Sequence, residues 1–440
     1  MKLLFIASFI LNIALIGLIV VYFPHDNGSY KEQQKETKNF NDPAYENNKE
    51  NVYFRSPFGY KHIQELKTLI DSGSVLVVDS KGQVLLDYHS NEPLIPASTL
   101  KVITSLAALH YLGEDYHFHT EFKIDSKNNL FIKGYGDPFL TSEEIQGIAL
   151  RLAKKGMKKI NSISLDGSYF ANFVMVPGNE NTYKAYDAKN SALAANFNTI
   201  AFKRLGSRIV SGEKETPFVP YSLKILKQAE REDKQLLRSR KLRISIKDKE
   251  DSLLYFGYLF KAFSKKAGIK VKGKILLRKS PSELPVYYNH RSSKSLSGVI
   301  QHLLEHSNNF MANQILLTLG AYVKKQPATL EQGVAVLSNF VKNVLKIKDI
   351  KLSEGSGLSY ANKVTARHMI KILGHFKRYR YLLKEVEKNV YAKSGGLKTV
   401  KSLVGFMDTP RYGEVRFAII LNQSYNNKPH ILKMLMDTFF

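Results

Sequence analysis

The sequence predicts an α+β protein: one antiparallel sheet drawn from both ends of the chain, helices packed on it, and a β-rich segment inserted between. Three observations carry this. A pair of apolar runs around a turn, "SVLVVDSKGQVLLDYHS" (74–90), stands near the start of the globular part. Three more strand-like runs, "KNVYAKS", "KSLVGFM" and "EVRFAIILNQ", lie near the end. Helical periodicity dominates from "SLSGVIQHLLEH" onward, whereas short strands and turns dominate residues 114–278.

In chain order, Met1-Lys2 is followed by 21 residues, Leu3 to Phe23, without a charge and with only Ser8 and Asn12 as polar breaks. That length crosses a bilayer core. The following "VVYFPHDNGSY" has no small-x-small cleavage site, which favours an uncleaved membrane anchor over a removed signal (residues 1–23). The expected location is therefore extracytoplasmic, on the periplasmic side, anchored to the inner membrane by residues 3–23, and nucleic acid is not an expected partner. Residues 24–52 are polar and Asn/Lys/Glu-rich, and read as a flexible linker. "KHIQELKTLIDSG" carries Ile63, Leu66, Leu69 and Ile70 at helical spacing, with Gly73 suited to its end. Asp79-Ser80-Lys81-Gly82 marks the turn of the first hairpin. Leu100 to Leu112 is apolar nearly all round, the pattern of a central buried helix, and Gly113 suits its C-terminus. Further helices are expected near 142–156, 251–267, 330–346 and 365–375, and "HILKMLMDTFF" closes the chain as a last helix. The division expected is 53–113 with 279–440 as one domain and 114–278 as inserted material.

The 440 residues contain no cysteine, which excludes a disulfide scaffold, a thiolate metal site and a cysteine nucleophile. A formal charge of +26 fits a nucleic acid, an anionic membrane surface or an anionic envelope polymer as partner, or simply lysines spread over a solvated surface.

The chemistry centres on "IPASTLKVITSLAALHYLG" (95–113), where Ser98 and Lys101 open an otherwise apolar helix. Residues i and i+3 of a helix share a face. Ser98 follows Pro96-Ala97 at the helix start, where free N–H groups and the helix dipole favour an oxyanion. Burial lowers a lysine's pKa and makes it a base at neutral pH. Taken alone, the pair also fits a capping serine and a lysine reaching to solvent. Two other stretches add weight: Ser307-x-Asn309 at a helix junction, and Lys393-Ser394-Gly395 at the end of a strand.

In this order the three motifs resemble the S-x-x-K, S-x-N and K-T/S-G set of penicillin-recognising serine enzymes. The long spacing from Ser98 to Ser307 is similar to that of the D-alanyl-D-alanine carboxypeptidase/endopeptidase family, the class C low-molecular-mass penicillin-binding proteins. So are "IKGYGDPFL", "SLDGSYF", "YDAKNSALAANFNTI" and "EGSGLS". The sequence departs from the family pattern at Ser394, Glu354 and Tyr360, where threonine, aspartate and arginine are more usual.

The resemblance implies a penicillin-binding transpeptidase-like domain. It also implies a serine DD-carboxypeptidase, with DD-endopeptidase as a further activity, acting on peptidoglycan stem peptides and inhibited by β-lactams. It makes Ser98 the nucleophile, Lys101 the base and Ser307 a proton relay. Asn309, Lys393, Ser394, Gly395 and Gly396 hold substrate, Gly395 by keeping a strand edge open and Gly396 through an oxyanion-hole N–H shared with that of Ser98. The lysine's burial would be offset by Ser98, Ser307 and Asn309. A β-lactamase, against which the long insertion speaks, and a non-catalytic basic envelope-binding protein, against which the intact motifs speak, are the alternatives. No metal or organic cofactor is implied; His117 and His119 share a strand face, but two imidazoles are too few for a metal site.

Overall fold

A six-stranded sheet holds the two ends of the chain together, in the computed structural model, which describes residues 56–171 and 174–440. Helix α1 (Tyr60–Leu69) leads into strands β1 (Gly73–Val78) and β2 (Val84–Tyr88). A 3-10 turn, Ala97–Leu100, runs directly into α2 (Lys101–Leu112). The middle of the chain supplies β3 (His119–Ile124), β4 (Asn129–Gly134), α3 (Ser142–Lys154), β5 (Lys159–Ile160), β6 (Ser162–Asp166), β7 (Thr199–Leu205), β8 (Arg208–Ser211), α4 (Pro220–Glu232), β9 (Lys241–Ser245), α5 (Lys249–Lys266), β10 (Lys270–Val271), β11 (Ile275–Leu277) and β12 (Val286–Arg291). Helices α6 (Leu296–His306), α7 (Asn309–Lys324), α8 (Leu330–Asn339) and α9 (Ala366–Phe376) follow, then β13 (Lys384–Glu387), β14 (Val390–Leu397), β15 (Val400–Thr409), β16 (Gly413–Leu421) and α10 (Lys428–Phe439).

The main sheet has the order β13-β14-β15-β16-β1-β2. The first strand of the described residues pairs antiparallel with the last, Gly73 opposite Leu421 and Val78 opposite Arg416. Alternate apolar residues on one face (Val75, Val77, Phe417 and Ile419) pack with Phe58 and Leu66 near the N-terminus and with Ile431, Leu435 and Phe439 of α10. Helix α9 lies on the sheet and also touches α2. Residues Lys101 to Leu109 of α2 are all buried, as its apolar composition requires.

The expected sheet from both chain ends, with helices on it, is thus present. Gly73 plays a different part from the one expected. The helix stops at Leu69, and Gly73 opens β1, where a Cβ would lie 2.7 Å from the Ile420 carbonyl oxygen. The glycine is there for close approach of two strands, not for a helix end. The first turn is held by Asp79, whose Oδ1 accepts from the N–H groups of Lys81 (2.9 Å) and Gln83 (2.8 Å).

The middle of the chain forms a five-stranded sheet, β11-β6-β4-β3-β12, and a three-stranded sheet, β8-β7-β9, around a shared apolar core. Strand β12 pairs with β3, so this sheet extends to Arg291, past the boundary at 278 expected from the sequence. Residues 1–23 and 24–52 lie outside the described residues. Among the described residues no helix is long and apolar enough to cross a membrane.

Candidate active site

Pro96 and Ala97 set the geometry of the turn that carries Ser98. Ala97 has φ 49°, a left-handed conformation that costs a non-glycine residue energy and persists only where its surroundings enforce it. Three groups do so. Ser402 Oγ on β15 donates to the Pro96 carbonyl (2.7 Å), and so does Thr99 Oγ1 (2.7 Å). Gly357 packs so closely that a Cβ there would sit 1.8 Å from the Ala97 carbonyl oxygen. Gly395 on β14 closes the other side, where a Cβ would lie 2.4 Å from Ser402 Oγ and 2.8 Å from the Ser98 nitrogen. Gly395 therefore has a role beyond the open strand edge expected of it: it lets β14 approach the backbone of Ser98. Strand β14 pairs with β13 only as far as Ala392, which leaves Lys393–Leu397 without a strand on that side among the described residues.

Lys101 begins α2 one turn after Ser98 and is 0% exposed. Its Nζ lies 2.8 Å from Ser98 Oγ, 2.8 Å from Asn309 Oδ1 and 2.6 Å from the Ser356 carbonyl oxygen. Burial, and then the charge of Lys393, hold its pKa well below the usual lysine value; the Glu354 carboxylate acts the other way. A neutral amine has two N–H donors and one lone pair. The Asn309 and Ser356 oxygens can only accept, so they take the two N–H groups. The lone pair is left for the Ser98 hydroxyl. The third partner of Lys101 is thus the Ser356 carbonyl, not Ser307 as the sequence led one to expect. Ser307 caps α6 in a left-handed conformation (φ 55°), a half-buried residue separated from the start of α7 by Asn308 alone. Asn309 is the first residue of α7, and its Nδ2 faces the Tyr186 carbonyl at 3.4 Å, which orients its Oδ1 toward Lys101.

The loop that supplies Ser356 is built around Glu354, a carboxylate with 0% exposure. Its Oε2 accepts from Ser356 N–H (2.6 Å), Ser356 Oγ (2.6 Å) and Asn313 Nδ2 (3.2 Å); its Oε1 accepts from Gly357 N–H (2.6 Å), Asn362 Nδ2 (2.8 Å) and, at 3.4 Å, Ser359 N–H. Asn313 Oδ1 accepts from Gly355 N–H (2.7 Å), and Thr104 Oγ1 on α2 donates to the Gly355 carbonyl (2.7 Å). Helices α2 and α7 therefore hold this loop against Lys101. The sequence marked "EGSGLS" as familiar but assigned no role to Glu354, Ser356, Asn313 or Thr104. The only local signal was an acidic residue before Gly-Ser-Gly, and backbone carbonyls leave no signature in a sequence.

On β14 the side chains diverge. Lys393 is 3% exposed, with Nζ donating to the Ser394 carbonyl at 2.8 Å. Burial, and secondarily Lys428, bring its pKa down to about 8. Ser394 and Gly396 are exposed. At Gly396 the nearest atom to an added Cβ would be 3.8 Å away, so that position is open. Lys428 Nζ donates to the Ser402 carbonyl (3.4 Å) and Lys401 Nζ to the Leu397 carbonyl (2.8 Å). The strand is thus flanked by cations suited to an anionic ligand. His117 Nδ1 is taken by the Ser292 carbonyl (2.7 Å) and His119 stacks on Tyr135 (4.2 Å). Among the described residues no group of His, Cys, Asp or Glu is arranged to hold a metal.

A serine hydroxyl set against a buried lysine amine, beside a Lys-Ser-Gly strand on a sheet closed by both chain ends, defines a serine hydrolase of the penicillin-recognising class. More narrowly, a sequence profile of the D-Ala-D-Ala carboxypeptidase 3 (S13) family matches residues 61–381 and 376–439, and the chain belongs to that family. It is 26% identical over 400 residues to D-alanyl-D-alanine carboxypeptidase DacB of Haemophilus influenzae, covering 78% of this chain and 83% of that protein. It is 24% identical over 432 residues to a D-alanyl-D-alanine carboxypeptidase of an Actinomadura species, covering 80% and 77%. The crystal structure of penicillin-binding protein 4 from Haemophilus influenzae shares the fold, with a TM-score of 0.68 over 84% of this chain and 96% of that one, at 20% identity.

Proposed function

We propose that this serine D-Ala-D-Ala carboxypeptidase acts through Ser98, and that the 2.8 Å approach of the buried Lys101 amine to the Ser98 hydroxyl is the observation that carries the assignment. Ser98 Oγ attacks the carbonyl of the D-Ala–D-Ala bond as its proton passes to Lys101. The Ser98 N–H and the Gly396 N–H receive the oxyanion; one such donor typically contributes about 2.7–4 kcal/mol. The C–N bond breaks when the leaving amine takes the proton, relayed by Ser307. Water then hydrolyses the acyl-serine ester. Lys393 and Ser394 read the terminal carboxylate, Asn309 orients the substrate amide and Lys101, and the peptide lies along the unpaired stretch of β14 as an added strand. Penicillin carries a carboxylate in the same place and acylates the same serine. The same machinery serves as a DD-endopeptidase when the leaving amine is a D-centre of a cross-linking diamino acid.

The reaction's substrate is in the cell wall, so the enzyme works outside the cytoplasm. Residues 3–23 anchor it to the membrane in this reading, and 24–52 act as a tether. The catalytic part comprises residues 53–113 and about 292–440, with the sheets between them inserted. Mass mapping after labelling with a fluorescent penicillin tests the assignment. A stable adduct on the peptide containing Ser98 supports it. An adduct elsewhere, or none, refutes it.

A further inference from the structure

Two long stretches of the chain, 145–165 and 252–282, contain no Asp or Glu. Each includes the end of a helix. "KKGMKK" (154–159) ends α3, and "KKAGIKVKGK" (265–274) ends α5. The two helices pack on each other, and the chain beyond each pairs with the other: β5 and β10 run parallel, with Lys159 opposite Lys270. The Lys270 N–H donates to the Lys158 carbonyl (2.9 Å) and the Lys272 N–H to the Ile160 carbonyl (3.0 Å). All nine lysines of the two quoted runs are exposed. The lysines that form ion pairs among the described residues are Lys123, Lys224, Lys247, Lys377 and Lys433, none of them here.

Ordinary structural needs explain part of this cluster. Cations in the last turn of a helix complement its dipole, which covers Lys154, Lys265 and Lys266. Lysine beside an edge strand discourages unwanted pairing, which covers Lys274 next to β11. Both strands of the β5–β10 pair are edges as well, so edge protection accounts for a lysine on each, but it does not call for Lys159 and Lys270 to stand directly opposite one another with Lys158 and Lys272 beside them. Like charges placed opposite one another across a strand pair are destabilising, and Lys159 and Lys270 are such a pair. An anionic partner relieves that repulsion. Beside the lysines, Leu276 and Leu277 of the edge strand β11 are 41% and 38% exposed. A soluble polyanion would neutralise the lysines but offer the leucines nothing apolar.

We propose that this lysine-rich end of the middle segment, with Leu276 and Leu277, docks on an anionic phospholipid bilayer. The ammonium groups reach the headgroup phosphates on flexible stems, and the leucines enter the boundary with the acyl chains. Lysine, a compact charge that needs no fixed geometry, suits a fluid layer of phosphates better than arginine would. Each lysine near such a surface raises affinity about fivefold. The inference depends neither on the catalytic assignment nor on residues 3–23.

The absence of native cysteine allows a local reporter. The full chain carrying Leu277→Cys, labelled with an environment-sensitive fluorophore, is titrated with vesicles of phosphatidylglycerol and phosphatidylcholine, and with phosphatidylcholine alone. The fluorophore reads its own surroundings, so attachment through residues 3–23 does not imitate docking. A blue shift with the anionic vesicles only, reversed by salt, is expected. Combining Lys158→Glu, Lys159→Glu, Lys270→Glu and Lys272→Glu should lower affinity for anionic vesicles more than about a hundredfold. Penicillin acylation should be unchanged, which verifies the fold. The corresponding glutamine set, gentler on the fold, removes four charges and should also lower affinity more than about a hundredfold. No shift with anionic vesicles, an equal shift with neutral ones, or an equal shift with soluble polyphosphate would overturn the proposal, the last reassigning the surface to a soluble polyanion.

Discussion

Replacing Glu354 with glutamine tests whether its loop is part of the catalytic arrangement. The carboxylate accepts six hydrogen bonds, three on each oxygen. Glutamine exchanges one acceptor oxygen for an NH2 group. At the Oε1 position this group would confront Gly357 N–H and Asn362 Nδ2; at Oε2, Ser356 N–H and Asn313 Nδ2. In either orientation at least two donors lose their acceptor. A hydrogen bond to a charged group is worth about 1.5–3 kcal/mol, so the loss is about 3–6 kcal/mol. The loop escapes part of that loss by moving, and the Ser356 carbonyl moves with it, 2.6 Å from Lys101 as it now stands. A misplacement near 1 Å costs about a hundredfold in rate. Urea unfolding and stopped-flow acylation by a penicillin should therefore both change, and Glu354→Asp, which keeps the charge, should recover part of each. The charge has its own signature. Glu354 favours protonated Lys101, so its removal makes the lysine easier to deprotonate. The acid limb of the acylation profile should move to lower pH in Glu354→Gln. Stability within 1 kcal/mol and acylation within about threefold of the parent enzyme would show that the network does not hold the lysine.

Ser98→Ala should abolish penicillin labelling and D-Ala release with little loss of stability, because among the described residues its hydroxyl meets only Lys101, which keeps Asn309 and the Ser356 carbonyl as partners; covalent labelling that persisted would place the nucleophile elsewhere. Lys393→Ala should slow acylation by carboxylate-bearing substrates by roughly ten- to a hundredfold or more while sparing a carboxylate-free thioester, and equal loss on both would put Lys393 in proton transfer. The charge of Lys393 is present below its pKa of about 8 and lost above it. KM for the D-Ala–D-Ala peptide should accordingly rise as pH passes 8 while that for the thioester stays level, and parallel curves would contradict the assignment. N-terminal sequencing of the membrane-extracted protein should return the first 23 residues; a mature start after Phe23 would mean a cleaved signal.

Much of the main sheet was legible because its strands are bounded by turn residues and its helices carry apolar periodicity over several turns. Helix α2 was legible from its all-round apolarity, and α3 and α5 from their stripes. Helix α4 was not anticipated, although Tyr221, Ile225, Leu226 and Ala229 stand at helical spacing, and the two-residue strands β5 and β10 are too short to have a pattern. The end of the five-stranded sheet was misplaced because "VYYNHR" has no feature that ties it to β3, whose paired residues lie 163 to 172 positions earlier in the chain, rather than to the helices that follow.

At the site, the chemical types could be read along the chain: a serine one helical turn from a lysine, an asparagine at a helix start, and a Lys-Ser-Gly strand. Those are local facts, set by spacing along one element. Tertiary structure alone decided which groups complete them. Lys101 meets Asn309 across 208 residues and the Ser356 carbonyl across 255. Gly357, an ordinary glycine in the sequence, and Gly395, marked there only for an open strand edge, are where two backbones press against the turn at Ala97 and Ser98. The direction of a lone pair depends on every acceptor around the nitrogen. One of those acceptors is a main-chain carbonyl, a group that every residue carries and that only the fold can aim.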